Sequence, residues 1–201
     1  MADCKSGKVM PITALDPKTA LVVIDIQKGI VASPMVHATS AVVANVVRLA
    51  DAFRERKLPV VLVHVGWAAD MADAVKTRVE AKPPSRSFDS GFFEYIDELK
   101  ANPATDILIH KRQWGAFYGT DLDLQLRRRG VTNIVLCGIS TSIGVESTAR
   151  AAWERSYNLA FAVDAMTDMN ADAHDRALKI IFPRIGELGT TGEILGKLRG
   201  E

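Results

Sequence analysis

Cysteine is scarce in this chain of 201 residues, which contains only Cys4 and Cys137. Cys4 lies near the N-terminus and Cys137 lies within an apolar run of strand length, so the pair predicts no disulfide framework. Residues 1–16 lack an apolar stretch of signal-peptide length, and no run of about 18 apolar residues occurs. We therefore expect a protein of the reducing cytoplasm that has no membrane partner.

The chain also lacks an excess of positive or negative residues. The chain has 25 Lys and Arg residues against 24 Asp and Glu residues, which gives a net charge of +1. This balance gives no electrostatic reason to expect nucleic acid or an anionic membrane as a partner. The only basic cluster along the sequence, residues 127–129, precedes Gly130 at the end of a predicted helix. Cations at that position stay solvated and favour the helix dipole.

The sequence contains no pattern typical of a metal or cofactor site. Zinc requires at least three convergent protein ligands, and the four histidines are isolated along the chain: His37, His64, His110 and His174. No glycine-rich loop of the P-loop or dinucleotide-binding type is present. We therefore expect no metal, no cofactor, and a small molecule as the substrate.

What the chain does contain is a regular alternation of apolar strand-length runs and amphipathic helical stretches. The runs predict strands at 19–24, 59–65, 106–110, 133–137 and 159–163, and helices at 40–57, 92–99, 120–129, 143–155 and 172–185. A last strand and helix are expected between 187 and 198. This order predicts an α/β fold, a three-layer α-β-α sandwich around a mostly parallel six-stranded sheet. We expect one domain over 1–201, with 1–17 as an extension and the irregular stretch 66–91 as a lid or oligomer arm.

Three residues fall at the carboxyl ends of predicted strands. Asp25 follows the first strand, Lys111 follows the third, and Gly144 opens the helix after the fourth. Ligands of open α/β sheets bind where such strand ends converge. Spacing alone leaves open that Asp25 is a turn or cap residue and that Lys111 is an ordinary surface lysine.

Four segments resemble, in order, the isochorismatase-like (cysteine hydrolase) superfamily. They are LVVIDIQ at 21–27, KRQWGAFYGTDLDLQL at 111–126, GISTSIGVESTAR at 138–150 and DAMTD at 164–168. The resemblance runs from about residue 19 to residue 198. Most of that superfamily carries a nucleophilic cysteine at the position of Gly144, so the chain resembles a subgroup with glycine there.

The resemblance implies roles for individual residues. Asp25 is the catalytic acid, Lys111 supports the charge, and the Ile139–Ser140 peptide bond is cis. The backbone amides of Ser140 and Gly144 form an oxyanion hole. The substrate pocket would contain Gln27, Arg112, Trp114, Phe117, Thr141 and Ser142. The zinc motif of the superfamily's nicotinamidases is missing, and a homodimer or homotetramer is expected.

The favoured function is hydrolysis without a covalent cysteine intermediate. Isochorismatases also carry glycine at this position and hydrolyse a vinyl ether, in which Asp25 would protonate carbon before water attacks. Burial raises the pKa of an aspartate and a neighbouring lysine lowers it, so the sequence leaves the balance open. Ser140, Thr141 and Ser142 depart from the isochorismatase loop, so we expect a small carboxylated or cyclic molecule rather than isochorismate.

Two other functions remain open at this point. Loss of the nucleophile is compatible with a catalytically silent member that binds a small acid. Alternatively, Ser142 or Ser140 could serve as the nucleophile of an amide hydrolase, provided that a base lies at hydrogen-bond distance. Cys137 lies inside an apolar strand and is interpreted as a buried, inert residue.

Overall fold

The structure is a computed structural model that describes residues 12–81, 88 and 91–200. Its six strands are β1 (Thr19–Ile24), β2 (Val60–Val65), β3 (Ile107–Lys111), β4 (Asn133–Ile139), β5 (Asn158–Thr167) and β6 (Glu187–Gly189). All neighbouring strands pair in parallel, in the order β3-β2-β1-β4-β5-β6. The predicted α/β sheet of six strands is therefore confirmed, and it is parallel throughout.

The described residues include six α-helices. They are α1 (Lys28–Val31), α2 (Thr39–Glu55), α3 (Leu122–Arg128), α4 (Glu146–Glu154), α5 (Ala171–Arg176) and α6 (Thr191–Arg199). None of the helices in the described ranges is long and apolar enough to cross a membrane. Residues 66–81 form turns without a helix or strand.

Each face of the sheet is covered by helices, which makes three layers. On one face, Val22 and Leu136 pack in a buried cluster with Leu126 of α3 and Ala149 of α4. On the other face, a second cluster joins the sheet to α2 and α6: Leu21, Val23, Val135, Val46, Phe53 and Ile194. Burial on both faces explains why the strands are continuous apolar runs.

Several predicted elements differ in detail from the structure. The helix predicted at 92–99 is a single 3₁₀ turn, Asp97–Leu99, because Ile96 is extended and Tyr95 bridges Gln27. The helix predicted at 172–185 is three pieces: α5, a π-helical turn (Ala177–Ile181) and a 3₁₀ turn (Phe182–Arg184). Pro183 lies in the last piece and has no amide hydrogen to continue an α-helix.

Of the two cysteines, only Cys137 lies among the described residues. Cys137 is fully buried in β4, and burial raises the pKa of its thiol. A buried thiol that resists ionisation is a poor nucleophile, as its place in the apolar run indicated. Cys4 and the segments 82–87 and 89–90 of the predicted lid lie outside the described residues.

Candidate active site

A buried ion pair lies at the carboxyl edge of the sheet. The Lys111 Nζ atom donates to Asp25 Oδ2 at 2.6 Å, and the two side chains are 2% and 8% exposed. Asp25 follows β1 and Lys111 ends β3, so the lysine reaches across the end of β2. Lys111 Nζ also donates to the Gln113 carbonyl oxygen at 3.2 Å, which fixes the ammonium group at a second point.

Burial has the largest effect on the pKa of Asp25. Loss of solvation raises the pKa of Asp25 to about 6, and the charge and hydrogen bond of Lys111 lower it by less. The second carboxyl oxygen of Asp25, Oδ1, is buried and has no hydrogen-bond partner among the described residues. Asp25 is therefore about one-tenth protonated at pH 7, far more than an exposed aspartate, and its Oδ1 atom makes no other hydrogen bond among the described residues.

Gly144 lies directly beside this carboxyl group. It belongs to a π-helical turn, Thr141–Val145, that separates β4 from α4, so the helix predicted to begin at 143 has an irregular first turn. A Cβ atom placed on Gly144 would lie 3.3 Å from Asp25 Oδ2 and 2.9 Å from Ile24 Cγ2. A side chain at position 144 would therefore point at the ion pair.

The backbone that leads into the π-helical turn has two unusual features. The Ile139–Ser140 peptide bond is cis, the bond for which the resemblance implied that geometry. Gly138 has a φ of 117°, and a Cβ atom there would lie 2.1 Å from the Ile24 carbonyl oxygen. Only glycine fits at position 138, because β4 approaches the β1 backbone too closely for a side chain.

Two predicted pocket residues instead anchor this turn to the end of β5. Thr141 is fully buried, donates from Oγ1 to the Thr167 carbonyl oxygen at 3.1 Å and contacts His174 Nδ1 at 2.9 Å. The Thr141 hydroxyl is thus bonded inside the protein, and the place of Thr141 in the substrate pocket stays a prediction. Ser142 donates from its backbone N and its Oγ to Asp168 Oδ2, at 2.7 and 2.8 Å.

Gln27 is likewise a structural residue. Its side chain is buried and bonds three backbone groups: the Val65 carbonyl oxygen, the Phe93 carbonyl oxygen and the Val65 amide, at 2.9, 3.0 and 2.9 Å. Every polar atom of the amide therefore serves to join β1, β2 and the segment after residue 91. A contact of Gln27 with the substrate stays a prediction.

The remaining predicted pocket residues follow Lys111 but are not gathered around it. Arg112 pairs with Asp73 at the surface, with 2.5 Å between Nε and Oδ2. Trp114 is 65% exposed. Phe117 is buried in the core, where its ring centroid lies 6.0 Å from that of Tyr157, and its assignment to the pocket stays a prediction.

One residue beside the candidate site was not predicted from the sequence. Thr148 is buried, donates from Oγ1 to the Gly144 carbonyl oxygen at 2.7 Å and accepts from the Ala116 amide at 3.1 Å. It therefore joins the π-helical turn to the segment that follows Lys111. A threonine four residues after Gly144 in a predicted helix was the available signal, since such hydroxyls bond the carbonyl one turn back.

The four histidine side chains form two ring–ring contacts. The His64 and His110 rings stack at 4.5 Å, and the His37 and His174 rings lie 4.8 Å apart. Within the described ranges, no group of three or more His, Cys, Asp or Glu side chains is arranged to hold a metal ion.

The chain is similar to several known proteins. Residues 19–193 match the model of the isochorismatase domain. The uncharacterized isochorismatase family protein YecD of Escherichia coli O157:H7 is 50% identical over 183 residues, which is 90% of this chain and 96% of that protein. The ureidoacrylate amidohydrolase RutB of Agrobacterium fabrum is 29% identical over 186 residues, 81% of each chain.

A solved structure gives the same architecture. The isochorismatase family protein of Burkholderia thailandensis is 46% identical and superposes with a TM-score of 0.89. The match covers 94% of this chain and 99% of that one.

Proposed function

Because this chain belongs to the isochorismatase family, we propose that it hydrolyses a small carboxylated or cyclic molecule by acid catalysis at Asp25, without a covalent cysteine intermediate. The observation that carries the proposal is the buried carboxyl of Asp25, whose pKa is raised to about 6 and whose Oδ1 has no partner among the described residues. A carboxyl with that pKa is roughly one-tenth protonated at pH 7, which suits a general acid.

The proposed reaction on an enol ether has two proton transfers. Asp25 gives its proton to the terminal vinyl carbon, and the remaining oxocarbenium ion is captured by water. The Asp25 carboxylate then accepts a proton from the added water, and the hemiketal separates into a ketone and an alcohol. Asp25 thus ends the cycle as it began, and no protein atom becomes covalently bound to the substrate.

Gly144 favours water as the nucleophile. In this proposal it places the chain in the subgroup that has glycine where most relatives carry the attacking cysteine. A Cβ atom at position 144 would lie 3.3 Å from Asp25 Oδ2. The absence of a side chain therefore leaves room for substrate beside the acid. The amides of Ser140 and Gly144 would stabilise negative charge there, and Lys111 would orient a substrate carboxylate.

The test is turnover of a panel of enol-pyruvyl ethers, small amides and ureides by the wild type and by Asp25→Asn. An acid role predicts that kcat/KM is highest below about pH 6 and falls about tenfold per unit above it. Asp25→Asn should lower kcat by roughly 10²–10⁴-fold. Asp51→Asn, on the outer part of α2, is the matched control and should behave as wild type. Equal rates for wild type and Asp25→Asn would overturn the proposal.

Hydrolysis of a C–N bond is the second candidate, and the printed name of the relative RutB, an amidohydrolase, favours it. In that reaction the Asp25 carboxylate would remove a proton from water, so kcat/KM would rise through about pH 6 instead of falling. The direction of the pH profile therefore separates the two chemistries in one experiment.

Two further outcomes have distinct signatures. Thermal stabilisation by a small acid, with no turnover of any compound in the panel, would indicate a silent binding member. Covalent labelling of Ser142 by a serine-directed probe would indicate a serine nucleophile. The Ser142 hydroxyl already donates to Asp168 Oδ2. This hydrogen bond weighs against Ser142 as a nucleophile.

A further inference from the structure

A second concave surface lies at the opposite, amino-terminal edge of the sheet. It is a cavity of about 760 Å³ between the end of α2 and the starts of β1, β2, β3 and β4. We call it the amino-terminal groove, and its polar lining is Lys18, Thr19, Arg54, Lys57, Thr105, Asp106 and Arg129. Its volume is that of a small-molecule site.

The charge of the groove is strongly one-sided, although the chain as a whole is nearly neutral. Four lining side chains are cationic and only Asp106 is acidic. Both carboxylate oxygens of Asp106 accept from Arg54, at 3.0 and 2.8 Å, so this acid neutralises one cation and no other.

The other three cations have no acidic partner in the described part of the chain. Arg129 donates to the carbonyl oxygen and the side-chain oxygen of Gln125, which are both neutral, at 2.9 and 2.6 Å. Lys18 and Lys57 form no ion pair among the described residues. The carboxylate of Asp16, next to the groove, accepts from Thr132 and Asn158 instead. The groove is therefore a site of unbalanced positive charge.

The floor of the groove also contains an unpaired donor. Thr19 lines it, is 1% exposed, and has a hydroxyl without a hydrogen-bond partner among the described residues. Buried polar atoms almost always have a partner, so each exception requires an explanation. Near the end of α2, the amides of Lys57 and Leu58 bond the carbonyl oxygens of Arg54 and Phe53, at 2.9 Å each.

We propose that the amino-terminal groove binds the phosphate group of a small molecule. A dianion with several oxygens can accept from Lys18, Lys57 and Arg129 at once and also from the Thr19 hydroxyl, which a single carboxylate cannot do as fully. The six residues of β1 separate this site from Asp25 by roughly 20 Å, so the ligand is distinct from the hydrolysed substrate.

The experiment is isothermal titration calorimetry of the full chain at constant ionic strength, with inorganic phosphate and with ribose 5-phosphate as separate ligands. The doubly substituted Lys57→Gln, Arg129→Gln protein should bind both ligands at least about tenfold more weakly. Lys179→Gln removes one exposed charge outside the groove and should bind as wild type. Tighter binding of ribose 5-phosphate than of phosphate would identify a phosphorylated metabolite as the ligand.

Thr19→Val separates binding from folding. The hydroxyl has no partner to lose, so the phosphate-free protein should unfold at an equal or higher temperature while phosphate affinity falls several-fold. The proposal is overturned if neither ligand binds saturably, or if the groove variants bind as well as Lys179→Gln. Binding only to an oligonucleotide would overturn it as well. Asp25→Asn should leave phosphate affinity unchanged, so failure here is distinguishable from failure of the proposed hydrolysis.

Discussion

At the scale of single residues, Asp25 shows how burial sets the chemistry of a carboxyl group. The adjacent ammonium of Lys111 favours the charged form of Asp25, yet removal from water disfavours that form more strongly. The result is a group that can carry a proton near neutral pH, which an exposed Asp–Lys pair could not do.

The raised pKa of Asp25 predicts a pH dependence of folding stability. The unfolded chain binds a proton at Asp25 with a pKa near 3.8, while the folded protein does so at about 6. Stability is therefore fully present below about pH 4 and is lost as pH rises through about 6, by roughly 3 kcal/mol. Urea unfolding across this range should show the loss in wild type and not in Asp25→Asn. Parallel curves for the two proteins would contradict the raised pKa.

Gly144 allows a second residue-scale prediction. Gly144→Cys and Gly144→Ala both add a Cβ atom 2.9 Å from Ile24 Cγ2, so both should lose about 1–3 kcal/mol of stability in urea unfolding. Only the cysteine variant places a thiol beside Asp25, and we expect it alone to form a covalent adduct with a chloroacetamide probe. Mass spectrometry at residue 144 makes the measurement, with Gly144→Ala controlling for Cys4 and Cys137. Absence of an adduct would show that position 144 does not open onto the site.

At the scale of elements, the strands carry the site and the connections hold it in place. The turn between β4 and α4 is anchored to β5 through Thr141 and Ser142, and to the segment after Lys111 through Thr148. Gln27 joins the ends of β1 and β2 to the backbone at Phe93. These contacts keep Asp25, Lys111 and Gly144 together although the chain brings them from distant positions.

Substitution of Gln27 tests the structural role assigned to it. Gln27→Leu leaves the Val65 amide and two carbonyl oxygens buried without partners, and it should cost about 2–4 kcal/mol of stability. Gln125→Leu is a matched control at the surface of α3 and should stay within about 0.5 kcal/mol of wild type. Urea unfolding of both variants gives the comparison. A Gln27→Leu protein as stable as its control would contradict the structural role of Gln27.

At the scale of the whole molecule, the parallel sheet has two chemically different edges. The carboxyl edge holds the Asp25–Lys111 pair, and the amino edge holds the positively charged groove. Because every strand runs the same way, all carboxyl ends meet at one edge and all amino ends at the other. The fold can therefore carry two small-molecule sites that share no side chain.

Large aromatic side chains at the surface bear on assembly. Trp114, Tyr118 and Trp153 are 65%, 80% and 53% exposed, and such residues are enriched at protein interfaces. We expect sedimentation velocity to give a mass of two or four chains of 21.9 kDa each. A sedimenting mass of one chain at every protein concentration would contradict this expectation.

Most of the order of strands and helices along the chain, the family, and the three residues at the strand ends that could form a site could be predicted from the sequence alone. These features are local: strand and helix periodicity, and residues placed directly after apolar runs, are visible along the chain. The resemblance to relatives added the role of position 144, because a missing cysteine is visible only against a pattern that contains one.

The contacts of individual side chains are defined only by the tertiary structure. Gln27, Thr141 and Phe117 are buried or bonded by segments tens of residues away, so no local pattern along the chain reveals their partners. The pKa of Asp25 depends on burial by several strands and helices together, and the groove of positive charge collects residues from four separate connections. Burial and electrostatics sum over all neighbours in space, and that sum becomes defined only when the chain has folded.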